Sequence, residues 1–233
     1  MLTANAAKLV EKEYRKRHPR KGVPLWLAIL LVPLWLCVGA FAALSLKALF
    51  CQSSHEYQEM ALAAGLLVGI FLFCFIPLQP IYVIGHELTH WLAAKIIFHK
   101  TGEIKLKWNR GYIEIIEPNG FIALAPYWVP FYFMLSACIV AFVMALWRDV
   151  LTARALQGVF LWLGLMYAYH VALTAKALKH GQKDLEYCGK FLSWCIILSM
   201  NLVTVFIAFA IANQSPLRAL AIPGKIVVDV FHW

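Results

Sequence analysis

Charge is what this chain has least of. Asp, Glu, Lys and Arg together make up 14% of 233 residues, and only 12 are acidic. A soluble domain carries about a quarter charged residues, so the composition argues against a water-soluble globule. None of the six cysteines forms a Cys-x-x-Cys pair, which removes the usual thiolate zinc sites and dithiol redox motifs. Internal repeats and low-complexity tracts are also lacking, which argues against a solenoid or an array. Net charge is +9, yet no basic domain stands apart from the apolar regions, so no nucleic-acid partner is expected. No cleavable-looking signal peptide opens the chain: the start is polar and basic, and the first apolar run is too long for a signal segment.

Apolar sequence is what there is instead. Hydrophobic residues reach 62% and mean hydropathy is +0.72. A membrane-crossing helix needs about 20 mostly apolar residues, and five regions qualify: roughly 24–49, 60–84, 121–147, 155–178 and 191–213. The expected fold is an all-α, polytopic membrane bundle of about five transmembrane helices with a small β-hairpin. Residues 1–23 form a basic arm, 24–213 the core and 214–233 a tail. The arm carries Lys8, Lys12, Arg15, Lys16, Arg17, Arg20 and Lys21, so the positive-inside rule predicts that it is cytoplasmic. The same rule puts loop 95–120 and the loop after residue 178 on that side. Cys37, Cys74, Cys138 and Cys195 fall within apolar spans and read as small buried hydrophobes. Cys51 and Cys188 fall on opposite sides and are not expected to pair.

The apolar character from Met60 to Phe98 would make roughly 58 Å of straight helix at 1.5 Å per residue, far more than the ~30 Å hydrocarbon core. Pro77 and Pro80 each interrupt helical hydrogen bonding, so a break is expected at 76–80, with a new helix from Pro80 to about Phe98. Between Thr101 and Gly120 the period changes to alternation. Gly102–Trp108 and Tyr112–Glu117 read as strands, with Asn109-Arg110-Gly111 as the turn.

The helix that begins at the break contains His86-Glu87-Leu88-Thr89-His90. Two imidazoles at i and i+4 share one helix face and suit a Zn²⁺ ion. Glu87, rotated by about 100°, reaches a water beside the metal and suits a general base. A catalytic zinc site takes a third protein ligand. Asp184, Glu186, His170, His180 and His99 are the candidates. The alternatives remain open: Asp184 suits the first turn of the following helix, and His170 suits a hydrogen bond to a neighbouring carbonyl.

These residues carry a family resemblance. The run His86–Ala94 ending an apolar span, the hairpin after it, Asn119–Tyr127, and the later His170…Thr174…Gln182-Lys183-Asp184…Gly189 resemble a site-2-protease-like (M50-type) integral membrane zinc metallopeptidase over about residues 60–200. The resemblance implies a Zn²⁺ cofactor on His86, His90 and Asp184, catalysis by Glu87, and accessory roles for His170 and Gln182. It implies an endopeptidase acting on membrane-embedded or membrane-associated substrates, in a bacterial cytoplasmic membrane with the active site toward the cytoplasm. No PDZ-like domain is evident, so substrate selection falls to the membrane core or the hairpin. An exposed strand pairs with an extended substrate through main-chain hydrogen bonds, which nominates Ile104 and Leu106 or Ile113 and Ile115. The alternative is a non-catalytic transporter or regulatory protein with a structural or sensory metal site; a lipid hydrolase is a third reading. Oligomeric state is left open.

Overall fold

The computed structural model describes residues 23–52, 57–76, 78–107, 110–146, 152–179, 182–212 and 221–231. Most of the basic arm, the loop histidines His18, His55 and His232, and the candidate ligand His180 lie outside them. Among the described residues eight α-helices run in chain order: α1 (Leu25–Gln52), α2 (Tyr57–Phe75), α3 (Gln79–Ile96), α4 (Gly120–Trp128), α5 (Phe131–Leu146), α6 (Ala153–Lys179), α7 (Lys190–Ala212) and α8 (Ile222–Phe231). A two-stranded antiparallel sheet, β1 (Thr101–Lys107) and β2 (Arg110–Ile115), separates α3 from α4, and a 3₁₀ turn at Lys183–Glu186 separates α6 from α7.

Four of the described helices, α1, α2, α6 and α7, are long and apolar enough to cross a bilayer, and α4 with α5 makes a fifth if the bent pair is one span. The region 121–147, expected as one membrane-crossing segment, turns by 67° between α4 and α5. Pro130 is the cause: it lacks a backbone donor and pushes its predecessor out of the helical region, and Val129 is extended at φ −93°, ψ 104°.

The axis of the bundle is the pairing of α2 with α6. Gly65 and Gly69 of α2 face Gly164 and Ala168 of α6 so closely that a Cβ on Gly65 would overlap the Leu161 carbonyl, and one on Gly164 the Leu62 carbonyl. Small residues four apart on both helices let backbones approach where no hydrophobic effect drives helices together. Leu62, Leu163, Tyr167 and Phe160 then pack with Phe206 and Phe209 of α7 as the largest core cluster. The outward faces carry Leu67, Phe71, Phe75, Phe142 and Leu198, all exposed. On a water-soluble monomer so much apolar surface would be anomalous; against lipid it is the solvent-facing side. Cys37, Cys74 and Cys138 are exposed on such faces and only Cys195 is buried, which corrects the expectation that all four are buried. Lipid rewards apolar side chains as the core does, so hydropathy does not separate the two faces.

The break expected at 76–80 is present. Helix α2 stops at Phe75 and α3 starts at Gln79 with Pro80 in its first turn; Pro77 lies outside the described residues. Lys176 of α6 donates to the Phe73 and Cys74 carbonyls, both at 2.9 Å, which satisfies orphan acceptors and places a cation at the end of the helix. Tyr169 donates to the Leu78 carbonyl at 3.0 Å. The close α2–α6 approach predicts that Gly164→Leu abolishes folded, detergent-soluble protein or lowers its melting temperature sharply. Leu67→Ala on the outward face is expected to change it little. Thermal unfolding of the two purified variants checks this.

Candidate metal centre

Helix α3 puts His86 and His90 on one face, one turn apart, with ring centroids 4.8 Å apart and rings nearly perpendicular. The third group comes from the 3₁₀ turn after α6. Asp184 Oδ2 lies 4.0 Å from His86 Nε2 and 3.8 Å from His90 Nε2. Among the described residues, His86, His90 and Asp184 are the one group of three such side chains able to hold a metal ion, their ligand atoms all within 4.8 Å of one another. Tetrahedral zinc with bonds of about 2.0–2.1 Å sets ligand atoms about 3.4 Å apart, so the three groups draw in from separations of up to 4.8 Å to close on an ion.

The donor chemistry fits a divalent metal. Burial holds the imidazoles of both His86 and His90 below their ordinary range, and the neutral ring is the ligand form. His90 Nδ1 is 2.8 Å from the Ile122 carbonyl. Donation there leaves Nε2 with its lone pair toward Asp184, the usual arrangement for a metal-bound histidine. Asp184 accepts a hydrogen bond of 2.8 Å from the Tyr127 hydroxyl. Tyr127 itself is fully buried, its ring edge-on to His86 at 5.2 Å.

Glu87 sits beside this group, under the hairpin. Helix α3 is not among the helices long and apolar enough to cross a bilayer. Burial pushes the Glu87 carboxyl up to about 7, the nearby Asp184 charge adds to the rise, and a hydrogen bond from the Ile113 backbone opposes it. A carboxylate near neutrality suits proton transfer in both directions. Gly111 packs directly on Glu87, and a Cβ there would overlap its side chain. This explains a departure from expectation. The strands pair Lys107 with Arg110 and Leu106 with Gly111, so Arg110 and Gly111 belong to β2 rather than to the turn. Glycine inside a strand marks a close approach, and here the approach is to Glu87.

The remaining sequence candidates fall in distinct places. Ile113 is buried, while Ile104, its partner across the sheet, is exposed. Ile115 packs on Ala93, Ala94 and Ile122. Leu106 is at a β1 position opposite Gly111. Gln182 donates to the Ala177 carbonyl at 3.3 Å, a use that closes the end of α6 rather than reaching the histidines. His99 faces the Ile116 carbonyl at 3.3 Å and Glu186 is exposed. His170 is buried in α6, beside His86 across a small cavity. The Asp184 side chain is drawn to the histidines and Tyr127, and only its carbonyl serves the local chain, accepting from the Tyr187 backbone.

Sequence reading assigned no role to Tyr127. Its signal is weak: one phenol in an apolar helix, three positions before the proline that bends the span. Its carbonyl accepts from Asn201 Nδ2 at 3.1 Å, and Asn201 Oδ1 accepts from the Tyr167 hydroxyl at 2.9 Å, so α4, α6 and α7 meet at this residue.

Comparison with protein-family profiles, with curated proteins and with solved structures finds no match for this chain.

For a divalent metal held by this group, the geometry predicts that Tyr127→Phe keeps the fold but binds it about 10–100-fold more weakly, the usual cost of losing a ligand's supporting hydrogen bond. Competition with a chromophoric chelator measures it.

Proposed function

We propose that this chain is a zinc-dependent membrane endopeptidase of the site-2-protease-like kind. Its substrates are membrane-associated or transmembrane proteins. The observation that carries this reading is the meeting of His86 and His90 with Asp184, which comes from a separate element, with Glu87 alongside. That is the composition of a hydrolytic metal centre: two imidazoles, one carboxylate and a second carboxylate left free for proton transfer.

A divalent metal held there supplies Lewis-acid polarisation of the scissile carbonyl and acidifies water. The protein's own residues do the rest. Glu87 takes a proton from the attacking water as its oxygen bonds to the carbonyl carbon. It then delivers that proton to the amide nitrogen as the C–N bond breaks. Asp184, steadied by Tyr127, holds its position as a ligand. A helical substrate must first unwind, because an intact helix keeps its carbonyls engaged. The β2 strand suits the task of holding the unwound segment by main-chain pairing, since its backbone already meets Glu87 through Ile113.

Metal content and turnover test the reading together. Glu87→Gln is expected to keep about one zinc per chain and lose at least 10²-fold in peptide hydrolysis, while Asp184→Ala loses the zinc. A Glu87→Gln protein with undiminished hydrolysis would reject the proposed base, and a native protein without zinc after metal-replete preparation would reject the metal centre. The strands separate by proline substitution. Ile115→Pro is expected to abolish cleavage with zinc intact, and Ile104→Pro on the outer strand to spare much of it. The reverse order in a cleavage assay would move the substrate to β1.

A further inference from the structure

The two metal-facing histidines differ in how they are held. His90 has its second ring nitrogen on the Ile122 carbonyl. His86 Nδ1 is buried and has no hydrogen-bond partner among the described residues, and the same is true of His170 Nε2. Both rings line one cavity of about 20 Å³, and a cavity of roughly 10–15 Å³ is enough for one water.

The other polar groups around that cavity are already committed. Thr89 donates to the Gly85 carbonyl at 2.7 Å. Tyr132 donates to the Ile81 carbonyl at 2.6 Å and Tyr169 to that of Leu78 at 3.0 Å. Tyr82 is bonded to Thr174 at 3.4 Å. Thr89, Tyr132 and Tyr169 thus spend their hydrogens elsewhere, which leaves the His86 Nδ1 hydrogen to serve His170 Nε2. The hydrogen-bonding characters of these two nitrogens are complementary. His170 interacts with the Tyr127 carbonyl; with Nε2 unpartnered that contact falls to Nδ1, and donation from Nδ1–H leaves Nε2 as an acceptor. His86, with Nε2 turned to Asp184, carries its hydrogen on Nδ1 and is a donor.

We propose that His170 is the positioning residue for His86, its Nε2 accepting, through one water in the shared cavity, the hydrogen on His86 Nδ1. His170 then completes for His86 what the Ile122 carbonyl does for His90, fixing the ring's tautomer and angle. It touches neither metal nor substrate. The inference rests on the metal-centre reading and adds to it a buried polar link from α6.

The test uses metal-stripped full-length protein in detergent, titrated with Zn²⁺ against a chromophoric chelator and, separately, loaded with Co²⁺ for its visible spectrum. His170→Phe, which fills the volume and cannot accept, is expected to weaken zinc binding about 10–100-fold and to shift the cobalt bands. His170→Gln, whose carboxamide oxygen can accept, is expected to recover most of the affinity. Phe131→Leu alters the same cavity wall and should leave both readouts near native. His170→Phe indistinguishable from native in both readouts would overturn the inference and leave the metal centre standing. Equal impairment of all three variants would also overturn it, by showing that the cavity matters only for packing. Native protein that takes up neither ion would overturn the metal centre itself, and this inference with it.

Discussion

The hydrogen bond from Tyr127 to Asp184 is the contact on which the site depends. A carboxylate brought beside two imidazoles in an apolar bundle needs a donor, because an unpaired charge there is costly. The Tyr127 phenol provides it at 2.8 Å. The same residue turns its carbonyl to Asn201 and His170. One side chain and its own peptide group thus tie the turn carrying Asp184 to α4, α6 and α7. The Asn119 side chain sets the start of α4 by accepting from the Ile122 backbone at 3.0 Å, and the Ile122 carbonyl then faces His90. An ordinary helix cap therefore fixes both the Tyr127 helix and the acceptor for His90 of the candidate metal group.

Helix α6 is the second organiser. Along its length it meets α2 through Gly164 and Ala168, presents His170 to the cavity beside His86, pins the α2–α3 link with Tyr169 and closes α2 with Lys176. It then delivers the chain to the turn holding Asp184. A shift of α6 along α2 would move all of these at once. Close glycine packing is suited to prevent it, since backbone-to-backbone contact tolerates little sliding.

The hairpin is joined to the site by proximity rather than by covering it with bulk. Its inner strand lies against α3, with Gly111 and Ile113 on Glu87 and Ile115 on Ala93 and Ala94. The outer strand carries an exposed ion pair, Lys105 with Glu103 at 2.6 Å, and such a pair adds little stability. Ile113 of β2 is buried while Ile104 opposite it on β1 is exposed, which gives the two strands different work.

Much of this was legible in the residues alone, and the legible part is local. The spacing of His86 and His90 is a property of one helical turn. The break at 76–80 follows from proline and span length, the hairpin from alternation, and the membrane helices from composition. What needed tertiary structure is of two kinds. One is partner choice: nothing in the spacing of Asp184, Glu186, His170 or His99 tells which of them meets the α3 histidines, because the meeting is set by how α6 seats on α2 and where Pro130 bends α4 from α5. Tyr127 belongs here too, as does Gly111, whose place within β2 reflects Glu87 beneath it. The other is facing. Lipid and protein core are both apolar, so the outward Cys37, Cys74 and Cys138 and the inward Cys195 look alike in sequence. Helix period and hydropathy act within a few residues of chain and were readable there; the pairing of distant polar groups is decided only when packing has excluded every other partner.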